Sequence, residues 1–482
     1  MIVFTSLIVR LTHKIEIKNH LFCNLLLLHC HHGFISLIMN KVLILGAGLV
    51  AKPMVEYLLA NRIRVMVASP MKDNADKMIS GNPLGISLDW SMDDPATLDR
   101  LVSETDVVVS LLPYKFHAEV AKFCLKNRKS LVTTSYVQPE MKPMEEDARK
   151  AGILFLNEIG LDPGIDHMSA MKIIDFVHER GGKVDELYSL CGALPAPEAA
   201  DNPLRYKFSW SPKGVVLASR NGALYLKKGE RVEIDPLDLF RDRFSYFFPG
   251  IGEMEVYPNR DSISYIDIYK IPETRTMYRG TFRFRGWCET LDAMKHLDML
   301  DDKASDYRGR SYSDFLAGRA GFENSGLKNK LARKLQLPLN SQVFEAFEFL
   351  GFFGDEKMNY DITTPFEITS DRMIKLMSLS GNERDMVVMQ HILLASWPDG
   401  RKEVIKSSLL DFGSPATNTA IARTVSLPAA IAVKMILEKR LLLSGIHRPV
   451  VPEIYNPVLD ELKTLGIELK EEHGLPESEM IA

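Results

Sequence analysis

The stretch "KVLILGAGLVAKPMVEYLLA", residues 41–60, constrains the fold more than any other. Val42 to Leu45 form a continuous apolar run, which suits a strand buried on both faces. Gly46-Ala47-Gly48-Leu49-Val50-Ala51 come next in GxGxxA spacing, and an amphipathic helix follows. Gly46 permits the tight turn, and Gly48 lets the backbone approach a pyrophosphate. The small Ala51 lets the helix pack close to the strand, and the first amides of that helix face the anion. Strand, glycine turn and helix in this order predict a dinucleotide cradle rather than a purely structural turn.

The next strand-like run, "RIRVMVASP", ends at Ser69-Pro70. A cradle for NAD usually carries an acidic residue there to hold the ribose 2′-hydroxyl. None is present. Ser69 is able to donate to a 2′-phosphate and Lys72 to offset its charge, so NADP(H) is favoured and NAD(H) is the alternative. Strand-like runs then recur: "ISLDW", "TDVVVSLLP", "KSLVTTSYV" and "GILFLNEIG", with the helical "KFHAEVAKFCLKN" between the second and third of them. Alternating strands and helices predict an α/β domain with a doubly wound parallel sheet of the Rossmann type. Ligands in such sheets sit beyond the carboxyl ends of the strands. Those ends carry Ser110 to Tyr114, Thr133 to Tyr136 and Asn157 to Asp162. The last leads into "LDPGIDH", an acid, a rigid turn, a second acid and a histidine, and this places Asp162 at the nicotinamide end of the cleft.

The 482 residues exceed one compact core, so two or three domains are expected. A net charge of -4 gives no electrostatic case for nucleic acid. The five cysteines, Cys23, Cys30, Cys124, Cys191 and Cys288, form no CxxC pair, which points to a reducing, cytoplasmic setting. With no run of 18 apolar residues, no membrane-spanning helix is expected. Residues 1–38 differ in texture from the rest of the chain. Their "HCHH" lacks a second ligand group at zinc spacing, so no metal is expected. The short apolar run lacks the small residues of a cleavage site. We read Met39 as restarting the chain and the leader as lying outside the fold.

Residues 39–165 make the nucleotide domain, with a C-terminal helix at about 415–450 packing on it. Residues 166–289 and 376–414 make a mixed α/β domain: "RNGALYL", "YPNRDS" and "YRGTFRFRGW" continue an antiparallel strand pattern, and "MVVMQHILLASWPDGRKEVIKSSLL" reads as one hairpin turning at Pro398-Asp399-Gly400. Residues 290–375 read as a helical insertion, with Thr364-Pro365 as a cap and first helical position. "LPAAIAVKMIL", residues 427–437, reads as a buried helix with proline at its start. Arg260 and Arg283 stand on strand or turn segments among aromatic residues, where a guanidinium fork suits a carboxylate. Each alone also fits an exposed strand residue. Cys191 and His167 read as core and helix-start residues.

Taken together, "GAGLVAKP", "VVSLLPYKFHAEVAKFCL", "VTTSYVQPEM", "NEIGLDPGIDHMSAMK", "CGALPAPEAADNPLRYKFSWSPKGV", "YPNRDS", "RGTFRF", "GNERDMVVMQH" and "LDFGSPA" resemble the glutamate-forming saccharopine dehydrogenases. The resemblance runs from Met39 to beyond residue 450. It implies an NADP-binding domain, a second domain that binds substrate and forms a homodimer, and a helical insertion. Cofactor would contact Leu49 to Lys52, Ser69, Pro70 and Met71, Leu112, Thr134, Ser135, Leu161, Asp162, Pro163 and Ser211. Saccharopine would be held by Ser135, Tyr136, Asp162, Arg260, Thr281, Phe282 and Arg283. The fungal members place an arginine where this chain has Pro70. The implied reaction oxidises the secondary amine of saccharopine, releasing glutamate and aminoadipate semialdehyde. Tyr136 and Asp162 are the candidates for moving protons or water; alternatively, Asp162 only binds the substrate ammonium. A carboxynorspermidine dehydrogenase would need fewer carboxylate forks, and a non-catalytic NADPH sensor would not need the Tyr136, Asp162 and Arg260 set.

Overall fold

The computed structural model describes residues 40–415 and 417–481. The leader, with Cys23, Cys30 and the "HCHH" cluster, lies outside the described residues. The glycine-loop region opens a seven-stranded sheet. Its strands are β1 (Lys41–Leu45), β2 (Arg64–Ser69), β3 (Gly85–Asp89), β4 (Val107–Ser110), β5 (Ser130–Thr133) and β6 (Leu154–Leu156), with a seventh at Gly445–His447. The order is seventh-β6-β5-β4-β1-β2-β3, and every pairing is parallel. Strand order therefore reverses between β1 and β4, the point where the crevice for a ligand opens. The continuous apolar runs have their physical reason here: alternate side chains of β1 enter opposite cores, Val42 and Ile44 one, Leu43 and Leu45 the other.

A second, ten-stranded sheet is built around Lys183–Pro195, which pairs with Thr276–Arg283 on one side and Asp385–Ser396 on the other. The hairpin at Pro398 joins Asp385–Ser396 to Lys402–Phe412 in register. The antiparallel pattern expected for "YRGTFRFRGW" holds against Gly252–Pro258, and at Met277 against Ala223–Lys227; against Lys183–Pro195 the same strand runs parallel. That pairing joins segments some ninety residues apart, across which local periodicity carries no direction. One face of this sheet packs on helices Ile165–His178, Ala420–Leu437 and Pro452–Thr464. The other packs on the helices of 290–375. Thr364 accepts the Glu367 amide hydrogen and Pro365 begins the helix Pro365–Met377.

Helix Ala420–Leu437 departs from its expected start. Thr419 caps it by accepting the Ala422 amide hydrogen, and Pro428 lies inside it. A proline there removes one backbone donor, but the helix is enclosed by packing on both neighbouring helices. By length and composition it alone among the described helices would suit a bilayer, yet 72% of it is buried inside the fold, as a core helix is. It leads into the seventh strand of the nucleotide sheet, so the C-terminal part contributes a strand as well as a helix.

Candidate active site

The glycine turn has the shape its spacing predicts. Gly46 adopts φ +108°, and a Cβ there would meet the Leu111 carbonyl oxygen at 3.1 Å. At Gly48 a Cβ would meet nothing within 4 Å, so the turn leaves open space against its backbone where a phosphate fits. Helix Lys52–Ala60 begins behind it with no side-chain cap; Pro53 has no N–H, so the Lys52 and Met54 amides are the ones left for an anion. Leu49 and Met71 are exposed apolar side chains beside the turn, and Ala51 is buried. Asn74, which the sequence did not single out, reaches the Ala47 carbonyl at 3.5 Å.

Ser69 behaves differently from its expected role. It is 1% exposed and its hydroxyl accepts the Met71 amide hydrogen at 3.1 Å, so it shapes the turn from behind. The cation left to face a 2′-phosphate is Lys72, since Pro70 has no N–H and the Met71 N–H is taken by Ser69. The Lys72 ammonium pairs with Asp76 at 2.8 Å on the surface, a weak contact that a phosphate would outcompete. Ser211 is an exposed residue before the short helix Pro212–Ala218, and among the described residues no hydrogen bond joins it to the glycine turn.

Beyond β5 and β6 the chain builds the turn Leu161-Asp162-Pro163-Gly164. The Asp162–Pro163 peptide is cis. Gly164, at φ +150°, lies so close to Gly160 that a Cβ would come 2.0 Å from its carbonyl oxygen, so only glycine closes this turn. Thr134 packs against Gly160 from the end of β5. Tyr136 donates its hydroxyl to Asp162 Oδ1 at 3.3 Å. The sequence pattern did not reveal the residue that organises this corner. Arg279 on strand Thr276–Arg283 is 2% exposed; one of its terminal nitrogens bonds Asp162, Asp166 Oδ2 (2.9 Å) and the Tyr136 oxygen (3.4 Å). A signal existed: in a strand, residues two apart share a face, and Arg279, Thr281 and Arg283 are spaced so. By the same alternation Phe282 points into the opposite core, so only its backbone faces the cleft.

Asp166 is fully buried. Burial pushes its carboxyl up, but His167, Arg279 and the Gly164 amide hydrogen outweigh that and hold it low, as a carboxylate. Asp162 is pushed up, first by burial and then by the Asp166 charge, against the pull of Arg279. Of the two acids sharing Arg279, Asp162 is thus the one whose affinity for a proton is raised. Burial pushes the Tyr136 phenol up, so it stays a donor. Behind them Glu158, in left-handed backbone at φ +59°, accepts from the Val137 amide (3.0 Å), Arg448 Nε (2.8 Å) and His167 Nε2 (2.9 Å). Burial raises its carboxyl, but His167, Arg448 and Val137 bring it down to about 2. His167 also bonds the Tyr269 hydroxyl at 2.7 Å, so it belongs to this buried scaffold. Cys191 is buried, and burial pushes its thiol up.

The two arginines singled out from sequence remain without carboxylate partners among the described residues. Arg260 is exposed, with its guanidinium 5.3 Å from the centre of the Tyr136 ring. Arg283 is 6% exposed and is caged by Tyr206, Tyr257 and Trp287 at 5.0, 5.9 and 5.4 Å; among the described residues its side chain bonds the Phe282 carbonyl alone, and its Nε has no partner. Burying an unpaired cation is costly, and Arg283 lies within electrostatic reach of Cys191, which also feels Asp162 and Arg279. Tyr136, Asp162, Arg279 and Arg260 thus form one corner of a cleft, with Arg283 two strand steps beyond Thr281.

A parallel doubly wound sheet with an open glycine turn, joined to a mixed sheet that carries two arginines without carboxylate partners among the described residues, defines a nucleotide-dependent oxidoreductase scaffold. Comparison with known proteins narrows this. The family model described as the saccharopine dehydrogenase NADP binding domain matches residues 42–156, and that of the saccharopine dehydrogenase C-terminal domain matches 160–467. The chain is 40% identical over 450 residues to the saccharopine dehydrogenase [NADP(+), L-glutamate-forming] of Saccharomyces cerevisiae, covering 90% of this chain and 99% of that one. It is 37% identical to the mitochondrial alpha-aminoadipic semialdehyde synthase of Bos taurus, covering 89% of this chain and 47% of that one. The solved apo structure of the Saccharomyces cerevisiae enzyme superposes with a TM-score of 0.82 at 38% identity, over 90% of this chain and 99% of that one. The chain belongs to the saccharopine dehydrogenase family.

Proposed function

We infer that this protein interconverts saccharopine with L-glutamate and 2-aminoadipate 6-semialdehyde, using NADP(H). It is an oxidoreductase acting on a CH–NH group, in lysine metabolism. The observation that carries the reading is the pair of guanidinium groups without carboxylate partners among the described residues, Arg260 against the Tyr136 ring and Arg283 on the strand that carries Arg279. A substrate with several carboxylates fits such a site, whereas a polyamine with one carboxylate would leave a cation unmatched.

When bound at the glycine turn, the cofactor supplies the hydride acceptor or donor. Everything else falls to the chain. Arg260 and Arg283 hold carboxylates and so orient the secondary amine. The amine must be unprotonated before its neighbouring carbon gives up hydride, and Asp162, the acid with the raised affinity for protons, takes that proton. That proton passes on to solvent, and the freed carboxylate receives the proton of the water that adds to the iminium carbon, then gives it to the nitrogen as the C–N bond breaks and glutamate leaves. Tyr136 stays protonated and donates to Asp162, and Arg279 fixes both groups in place.

The test is direct. Saccharopine with NADP+ should yield glutamate, the semialdehyde and NADPH in equal amounts, identified by mass spectrometry. Absence of glutamate would overturn the assignment. We propose a homodimer and a cytoplasmic setting alongside it. The edge strand Phe244–Phe248 pairs on one side only and leaves Phe247 66% exposed, which suits coverage by a second copy. Sedimentation of the purified protein at a single monomer mass would remove the dimer.

A further inference from the structure

His117 opens the helix His117–Asn127 and takes no part in the chemistry above, yet it stands directly behind the cleft. The residue is 1% exposed. Its Nδ1 lies 2.9 Å from the Ser110 hydroxyl at the end of β4, and its Nε2 lies 2.9 Å from the Ser135 hydroxyl just past β5. The Thr133 hydroxyl is 3.5 Å from both ring nitrogens, and the Tyr114 ring meets the imidazole edge-on. Among the described residues no carboxylate bonds the ring. Burial holds its basicity down, to a pKa of about 4, so the imidazole is neutral at ordinary pH. A neutral imidazole has one donor nitrogen and one acceptor nitrogen. It therefore imposes opposite senses on the two hydroxyls it touches.

Ser135 is where that sense matters. It precedes Tyr136, whose hydroxyl bonds Asp162, and its own carbonyl accepts the Glu158 amide hydrogen at 3.0 Å. Its side chain is half-buried, with the hydroxyl against His117 Nε2. Saccharopine carries three carboxylates, and the cleft offers two unpaired guanidinium groups. The third carboxylate must be met by neutral donors.

We propose that His117 is a positioning residue: it donates from Nε2 to the Ser135 oxygen and accepts the Ser110 hydroxyl on Nδ1, and this turns the Ser135 proton outward to a substrate carboxylate. With the opposite tautomer Ser135 would spend its proton on the ring and present lone pairs to an anion. The Ser110 hydroxyl, buried and facing Nδ1, selects the productive form.

The inference rests on the proposed function, and its test separates the two. In the full-length protein, His117→Leu and Ser110→Ala are measured for saccharopine KM, kcat and NADPH Kd, each also in a Ser135→Ala background. His117→Leu should raise saccharopine KM by about tenfold or more, as for loss of a hydrogen bond to a charged group. kcat and NADPH Kd should change by less than about threefold. Ser110→Ala, a smaller change that removes one buried oxygen, should raise KM in the same sense, and His117→Gln should recover part of the loss. In the Ser135→Ala background all three should add less than about twofold. If His117→Leu does not fold, Ser110→Ala with and without Ser135→Ala decides alone. A wild-type KM in Ser110→Ala, or an effect that multiplies with Ser135→Ala, overturns the role of His117 while leaving the function standing. A wild type that does not turn over saccharopine overturns both.

Discussion

Replacing Arg279 with methionine tests the corner at its centre. The side chain is 2% exposed, and among the described residues its guanidinium is the one arginine or lysine cation bonded to Asp162 and Asp166. Asp166, at 0% exposure, would be left as a buried carboxylate with His167 beside it. Removing one member of such a pair costs about 3–5 kcal/mol, because the other charge stays buried. Stability should fall by that order. Asp162 should also become harder to ionise, since an opposite charge in contact is worth about 1–3 units. The base must be ionised to take the amine proton. The acid limb of kcat/KM for saccharopine oxidation should therefore move up by about 1–3 pH units. Arg279→Lys keeps the charge and should show a smaller shift. The assay is kcat/KM against pH for both variants, with urea unfolding of the same samples. If Arg279→Met keeps both the wild-type acid limb and the wild-type stability, Arg279 does not hold these carboxylates and the proton path through Asp162 fails.

Other expectations rest on single contacts. Arg260→Ala should raise saccharopine KM strongly, on the order of tenfold or more, while NADPH Kd stays put; equal loss of both would take Arg260 out of the substrate site. Gly48→Ala should unfold like the wild type, since a Cβ there meets nothing within 4 Å, yet weaken NADPH by at least about tenfold; unchanged NADPH titration would mean the phosphate lies elsewhere. His391 is fully buried between Ser169 and Ser189, and burial brings its pKa from 6.5 to about 4. The folded state binds fewer protons than the unfolded one in that window, so stability is full above about 6.5 and declines towards about 4. The loss is up to about 3 kcal/mol, and His391→Gln should flatten that part of a urea-stability profile against pH.

The parts of this molecule that were legible in its sequence are those fixed by neighbours along the chain. The glycine turn, the strands buried on both faces, the Thr364-Pro365 helix start and the hairpin at Pro398 each depend on residues within a few positions. The Asp162 turn was legible for the same reason, because acid, proline and glycine stand side by side. What escaped depends on distant pairing. Arg279 reaches Asp162 across 117 positions, and Glu158 meets Arg448 across 290. In sequence a buried, paired arginine looks like a solvated one. Arg283 drew notice and Arg279 did not, although they share a strand face. Pro428 misled because proline marks a helix start far more often than a helix interior, and only the enclosing helices permit the exception. Ser69 reads as a phosphate contact from its place after β2, while its burial and its acceptance of the Met71 amide hydrogen depend on how the turn closes.

The central claim is that one cleft holds the amine against Asp162 and the carboxylates on Arg260 and Arg283. A crystal structure with saccharopine and NADP+ bound tests this directly. The account predicts carboxylates on both guanidinium groups, the secondary amine within hydrogen-bond reach of Asp162, and the nicotinamide ring facing the adjacent carbon. Saccharopine lying away from Asp162, or either arginine turned from it, would contradict the account.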